Sequence, residues 1–296
     1  MQGWLMAIYN LGSINLDNVY MVPHLPQPGE TLAATGFRQG LGGKGANMSV
    51  AAARAAARVI HIGAVGADGR WAAERLLEYG VDTRFIATST VATGHANICV
   101  DPAGENSIVI FGGANQKISA DDLGRALSEA STADTFLLQN ETNAQTEAAR
   151  LAKSMGLRVV YAAAPFDAMA VRAVMDHVDL MVLNAVEAAQ LEVETGSKLA
   201  DLPISDIIVT RGSKGCDWIS KSAGQIQHFD AIKTEVVDTT GAGDTFTGYV
   251  VAGLDRGMPM GQAIGLASRA AALMVGRLGT ADVIPDLKEI EDHRFN

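Results

Sequence analysis

The residues best suited to chemistry lie towards the two ends of the chain. Asp238-Thr239-Thr240-Gly241-Ala242-Gly243-Asp244-Thr245-Phe246 opens a predicted helix that runs through Gly253. The small residues Gly241, Ala242 and Gly243 let backbone N–H groups converge at that helix's N-terminus. Amides there lack intrahelical partners and the helix dipole adds positive potential, so the turn is an anion site. Asp244, in the first turn, would sit beside the anion and could accept a proton from an attacking hydroxyl. The dipole should also keep its carboxylate ionised, with a low pKa. The bland alternative is a glycine turn whose acid merely favours the helix dipole.

A second glycine-rich run, Gly40-Leu41-Gly42-Gly43-Lys44-Gly45-Ala46-Asn47, carries the letters of a dinucleotide fingerprint at Gly40, Gly42 and Gly45, with Asp68 downstream. Context excludes that reading. The run does not follow the first core strand, and Asp68 lies beyond Gly66, past the strand tip where a ribose-binding acid belongs. A phosphate-binding loop of the Walker type also fails, because Lys44 is followed by glycine and Arg38 holds its first position. What survives is a glycine loop whose Lys44 and Asn47 could hydrogen-bond a polyhydroxyl ligand, or else a tight turn with a solvated lysine.

Elements of two kinds must position these residues. Leu5–Leu11 is apolar and predicts a buried first strand. Asn15–Val22 and Thr31–Gln39, separated by the proline-rich run 23–29, are too polar for a buried sheet. With Gly94–Val100 and Ser107–Phe111 they predict a small accessory sheet. Beyond Gly45, helix and strand alternate: helix Ala46–Ala57, strand Val59–Ala64, helix Trp71–Tyr79, then strands Thr135–Leu138, Arg158–Ala162, Leu180–Leu183 and Asp206–Thr210. That alternation predicts an α/β fold with a doubly wound, mainly parallel sheet flanked by helices, whose ligands bind at the carboxyl ends of the strands. No internal repeat or linker divides the 296 residues, so one domain spanning 1–296 is expected, with lid strands inserted at about 15–39 and 94–111.

Composition narrows the partners. A formal net charge of −10 opposes approach to nucleic acid, so an anionic ligand would need a local device such as backbone amides. Cys99 and Cys216 are far apart and suit reduced, buried thiols, and the six histidines show no metal-ligand spacing. The start, Met1-Gln2-Gly3-Trp4, has no basic region, and no later run approaches membrane-spanning length, so a soluble, cytoplasmic protein is expected.

Further motifs complete a pattern. Gly12-Ser13-Ile14-Asn15-Leu16-Asp17, Gly113-Ala114-Asn115, Gln139-Asn140-Glu141, Asn184-Ala185-Val186-Glu187 and Thr210-Arg211-Gly212-Ser213-Lys214-Gly215 stand in order between the two glycine runs. Together these elements resemble the ribokinase family, the PfkB carbohydrate kinases, over most of the chain. The resemblance implies a ribokinase-like fold with a lid, and transfer of the γ-phosphoryl group of ATP to a sugar hydroxyl. D-ribose, at its primary 5-hydroxyl, is the leading acceptor; another furanose, a nucleoside or a keto-sugar acid is the alternative, and a non-catalytic sugar- or nucleotide-binding regulator the distant one. It implies that Asp244 is the catalytic base and that the amides of Gly241, Ala242 and Gly243 hold the transferring phosphoryl group. Asn15, Asp17, Gly43, Lys44, Asn47 and Glu141 would hold the sugar. Asn184, Thr210, Gly212, Gly215, Gly243 and Ser268 would border the nucleotide. Glu187 would meet Mg2+ through water, and Asp238, Thr240, Met274, Arg277 and Gly279 would form a loop for a monovalent cation, K+. A lid with exposed strand edges implies a homodimer.

Bland roles stand beside these: solvated strand residues for Asn15 and Asp17, a helix cap for Glu141, a dipole-favouring acid for Glu187. The chain also departs from the family pattern. Thr195–Ser205 is short where relatives carry a helix, Ala162-Ala163-Ala164-Pro165 replaces Asn-Pro-Ala-Pro, Val283 replaces a serine at the cation loop, and Ser268 replaces a histidine beside the adenine.

Overall fold

The computed structural model describes residues 6–295. Leu5, the first residue of the expected opening strand, and the start at Met1–Trp4 lie outside them. The chain begins with β1 (Ala7–Leu11) and passes to β2 (Asn15–Met21) and β3 (Gly36–Gly42). Helix α1 (Lys44–Arg54), β4 (Arg58–Val65), α2 (Arg70–Glu78) and β5 (Asp82–Thr88) follow. Strands β6 (Gly94–Val100) and β7 (Asn106–Phe111) precede α3 (Ala120–Leu127), β8 (Thr135–Gln139), α4 (Gln145–Ser154), β9 (Arg158–Ala162) and α5 (Ala168–Val174). Then come β10 (Leu180–Asn184), α6 (Ala185–Thr195), β11 (Asp206–Thr210), β12 (Cys216–Ser220) and β13 (Gln225–Phe229). Helices α7 (Ala242–Asp255), α8 (Met260–Val275) and α9 (Leu287–Asp292) close the chain.

Among the described residues nine strands form one sheet in the order β13-β12-β11-β10-β9-β8-β1-β4-β5, and four form a second in the order β3-β2-β6-β7. The large sheet is parallel from β11 to β5, and β12 and β13 extend it antiparallel. Strands β1 and β8 are buried throughout, and their side chains alternate between faces. Ile8 and Leu137 point into the core that packs α1, α2, α7 and α8, whereas Tyr9, Leu11, Phe136 and Leu138 point into the core of α3 to α6. Progression along the sheet reverses between β1 and β8. The switch point, outside their carboxyl ends, is where such sheets leave a crevice for ligands.

Two long, small-residue helices meet beside that crevice. Every residue of α1 from Gly45 to Ala52 is buried, and α7 is buried almost all round. A methyl group at Gly248 would stand 2.6 Å from both the Ala51 Cβ and the Met48 carbonyl oxygen, so glycine sets how closely the two helices approach.

Two expectations need correction. The expected strand Thr31–Gln39 is instead Gly36–Gly42, because β2 ends at Met21, whose ladder partner is Gly36, and leaves residues 31–35 no strand to pair with. Gly40, Leu41 and Gly42 are therefore ladder residues paired with Asp17, Leu16 and Asn15, and the glycine loop begins only at Gly43. Strands β5, β12 and β13, not anticipated, carry mixed polar sequences: β5 and β13 form the sheet's two edges and β12 lies next to β13. The segment Thr195–Ser205, read as too short for a further helix, accordingly holds after α6 only a 3-10 turn, Leu199–Asp201.

Candidate active site

The crevice is built from the residues that follow β1 and β8, the N-termini of α1 and α7, and the inner face of the small sheet. Gly43 caps α1 at φ 94°, and a side chain there would strike the Ser13 carbonyl at 2.8 Å. This turn aims the start of α1 at the carboxyl end of β8. The Lys44 amide donates to Glu141 Oε2 at 3.0 Å, the Gly45 amide donates to Ser13 Oγ at 3.2 Å, and the Ser13 hydroxyl donates to Glu141. Glu141 thus does receive a helix N-terminus, as its bland reading had it, but from within the crevice.

Asn15 is buried and its Oδ1 accepts from Asn115 Nδ2 at 2.8 Å. Asn115 also accepts from the Ile14 amide at 2.9 Å, so it fixes both the side chain and the backbone of the strand start. Sequence reasoning assigned no role to Asn115 or Ser13, although both stand in motifs singled out there; their function is to orient Asn15 and Glu141. Asp17 faces the same side as Asn15, two residues on. A methyl group on Gly42, the ladder partner of Asn15 and diagonal to Asp17, would stand 2.1 Å from Asp17 Oδ2, so that glycine makes room for the carboxylate. Burial, and then the nearby Glu141 charge, push the Asp17 carboxyl up to about 6.

Asp244 joins this group from the other end of the chain. Gly241 adopts φ 75° ahead of α7, and Asp244, 8% exposed, accepts from Asn47 Nδ2 at 2.8 Å on Oδ2. The other amide atom of Asn47, Oδ1, is buried with no protein partner, leaving an acceptor for a ligand hydroxyl. The expected low pKa of Asp244 is overturned. Burial outweighs the Lys44 charge and the Asn47 hydrogen bond, and the carboxyl is pushed up to about 6. Lys44 shows the converse: the Asp244 charge, joined by Glu141 and Glu187, raises its pKa against the effect of burial. One ammonium therefore serves three carboxylates. The expected set of three anion-binding amides narrows to Gly241 and Gly243, because the Ala242 N–H donates to Thr239 O at 3.2 Å.

Beyond Asp244 a cleft of about 430 Å3 is lined by Thr210, Gly212, Gly215, Gly243, Phe246 and Ser268, among others. Its walls are largely small and apolar, and it opens onto the α7 N-terminus, which fits an adenosine with its phosphates directed at the helix. Asn184 and Glu187 lie in a reciprocal cap at the start of α6. Asn184 Oδ1 accepts from the Val186 and Glu187 amides, each at 2.9 Å, while Glu187 Oε2 accepts from the Asn184 amide at 2.7 Å. Glu187 is raised by burial and its charge reaches Lys44, so the cap also faces the crevice. No cluster of three or more His, Cys, Asp or Glu side chains able to hold a metal occurs among the described residues. A magnesium ion here would have to be held by phosphates and water, the usual habit of that ion with nucleotides.

The structure also brings together the residues expected to form a loop for a monovalent cation. Asp238 accepts from the Thr240 amide at 2.9 Å and the Gly279 amide at 3.3 Å, and Met274 O accepts from the Arg277 amide at 2.9 Å. The Arg277 guanidinium donates to Val283 O at 3.1 Å and pairs with Glu289 at 2.8 Å. Thr280 Oγ1 donates to Leu41 O at 2.9 Å, which ties this loop to β3.

An activating carboxylate, a cleft for a nucleotide and a polar cradle across a helix N-terminus define a phosphotransferase with an alcohol group as acceptor. Residues 8–287 match the family described as pfkB family carbohydrate kinase, and the chain belongs to that family. It is similar to a ribokinase of Haemophilus influenzae, 34% identical over 94% of this chain and 95% of the relative. It is similar to a deoxyribokinase of Salmonella typhi, 31% identical over 97% and 98%. The structure of Arabidopsis thaliana ribokinase complexed with ribose and ATP superposes with a TM-score of 0.84 at 28% identity, over 97% of each chain. No helix among the described residues is long and apolar enough to cross a membrane.

Proposed function

We propose that the protein transfers the γ-phosphoryl group of ATP to the primary 5-hydroxyl of D-ribose. The observation that carries this reading is the pairing of Asp244 with Asn47 at the junction between the polar cradle and the nucleotide cleft. Asn15, Asp17, Asn47 and Glu141 supply acceptors for the ring hydroxyls, and Lys44 keeps the cradle's negative charge in check. Asp244 orients the acceptor hydroxyl and takes its proton. A loose transition state asks little of the nucleophile and much of positioning, so a carboxylate suffices. The amides of Gly241 and Gly243 receive the transferring phosphoryl group at the head of α7. Thr210, Gly212, Gly215 and Ser268 border the nucleotide. Glu187 would hold Mg2+ through water, and the ion would supply neutralisation of phosphate charge. Asp238, Thr240, Met274, Arg277 and Gly279 form the site for K+, with Val283 contributing no side-chain oxygen.

The chain acts as one domain whose small sheet closes over the sugar to exclude water. We place it in the cytoplasm, as a homodimer joined through β7. That edge strand leaves Ile108, Val109, Ile110 and Phe111 between 48% and 66% exposed, a face that monomers seldom leave bare. The deoxyribokinase relative makes 2-deoxyribose the acceptor to measure against ribose. The test is ADP release with ribose, 2-deoxyribose, ketohexoses, nucleosides and sugar acids, with Mg2+ and with K+ or Na+. Ribose should give the highest kcat/KM. Turnover confined to another sugar would reassign the acceptor, and silence across the panel would overturn the reading.

A further inference from the structure

Behind the cradle, on the core side of Gly12 and Gly45, four polar side chains form a hydrogen-bonded chain that the reaction does not use. Asn10 on β1, Ser49 on α1, His61 on β4 and Gln139 on β8 are each at most 1% exposed. Gln139 Nε2 donates to Asn10 Oδ1 at 2.8 Å. Asn10 Nδ2 in turn donates to Ser49 Oγ and to the Gly45 carbonyl, both at 2.8 Å. Ser49 Oγ lies 2.8 Å from His61 Nδ1, and His61 Nε2 lies 3.1 Å from the Gly12 carbonyl.

Only one proton arrangement satisfies the links from Asn10 to the Gly12 carbonyl, while Gln139 Oε1 is buried without a protein partner. A carbonyl can only accept, so His61 carries its proton on Nε2 and donates to Gly12. Its Nδ1 then accepts from the Ser49 hydroxyl, whose oxygen accepts from Asn10. Burial holds the imidazole neutral, with its pKa lowered to about 4. The two carbonyls held from behind belong to glycines whose backbones touch. A methyl group on Gly12 would stand 2.5 Å from Gly45 Cα, and one on Gly45 2.3 Å from Gly12 Cα. On the crevice side the same two segments are joined through Ser13, Glu141 and the Lys44 amide. A buried polar chain gives little net stability compared with apolar filling of the same shape, but it fixes orientation because any other arrangement leaves a group unpaired.

We propose that Asn10, Ser49 and His61 are positioning residues for sugar binding, holding Gly12–Ser13 and Lys44–Gly45 in register so that Asn15, Lys44 and Glu141 converge on the acceptor. The proposal rests on the sugar-kinase reading, which the wild-type protein tests first. The measurements then use the best acceptor found, with steady-state KM for sugar and for ATP, sugar affinity by calorimetry, and melting temperature. His61→Phe should raise sugar KM and Kd about tenfold or more while ATP KM stays within about twofold. His61→Gln, which can donate to Gly12 and accept from Ser49, should recover most of that loss. Asp255→Asn, a buried polar change near the far end of α7, should leave sugar KM unaltered whatever it does to melting. An unchanged sugar KM in His61→Phe would overturn the proposal. So would a parallel rise in sugar and ATP KM, or a failure of His61→Gln to recover binding. If His61→Phe does not fold, Ser49→Ala decides: the same sugar-only rise supports the proposal, and wild-type sugar KM overturns it.

Discussion

At the scale of single residues, the proton-accepting role proposed for Asp244 gives the most direct prediction. Asp244→Asn keeps the shape and the contact to Asn47 but removes the proton acceptor. It should lower kcat by about 10²–10⁴-fold with sugar Kd little changed by calorimetry; near-normal turnover would sink the assignment. The carboxyl at about 6 sets the pH dependence. Only the ionised form accepts a proton, so kcat/KM should fall as pH drops through about 6, with a limiting slope of about tenfold per pH unit. A flat profile between pH 5 and 7 would exclude Asp244 as the titrating group. Asp244, Lys44 and Asn47 could be singled out from glycine-marked runs with a backbone reason, whereas Asn15, Asp17 and Glu141 were implied only by the family resemblance; the structure gathers all six at one crevice. What was not legible was their environment. The dipole argument gave Asp244 a low pKa, whereas desolvation, a property of packing from all sides, decides it. Ser13 and Asn115 escaped for the same cause: their role is to orient a neighbour about 100 residues or more away in sequence.

At the scale of elements, the α1–α7 contact holds Asn47 against Asp244. Gly248→Ala tests it. Alanine gains about 1 kcal/mol of helix propensity, but its methyl meets a backbone carbonyl and an alanine Cβ, neither of which can rotate away. Overpacking of about 1–3 kcal/mol should win. We expect a lower melting temperature together with reduced kcat as the two helix starts separate; a more stable variant would refute this packing account. The buried parallel strands were legible from their apolar runs, and their boundaries moved by only a residue or two. Strands β5 and β13 at the edges, and β12 beside β13, were not, because strands at the margin of the sheet bury less and their sequences, such as Gln225–Phe229, read as polar loops. The accessory sheet was legible as a pair of hairpins. Its β3 was displaced because glycines look like a loop until Asp17 is seen filling the space that side chains would occupy.

At the scale of the whole molecule, acid should act on stability and activity in opposite directions. Asp17, Asp244 and Asp255 are each raised by burial to about 6. The folded state therefore favours their protonated forms, and their contribution to stability is lost as pH rises from about 4 through about 6. His61, lowered by burial to about 4, opposes them by costing stability as pH falls. Three carboxyls outweigh one imidazole, so the melting temperature should be higher at pH 5.5 than at pH 7.5, while turnover is lower; Asp255→Asn should shrink the difference in melting. A melting temperature that falls steadily on acidification to pH 5.5 would contradict this. Association is the second property at this scale. Wild-type protein at micromolar concentration should sediment as a dimer and Val109→Asp as a monomer, and a monomeric wild type would remove the β7 interface. The Asn47–Asp244 contact spans 197 residues of sequence, and the walls of the nucleotide cleft come from Thr210 onward. During synthesis the sugar cradle emerges first, and the base, the phosphoryl-binding amides and the nucleotide walls emerge last. A growing chain can thus bind no ATP in this cleft and waste none by hydrolysis. Competence waits until α7, with α8 and its cleft-lining Ser268 behind it, seats against a helix made some two hundred residues earlier.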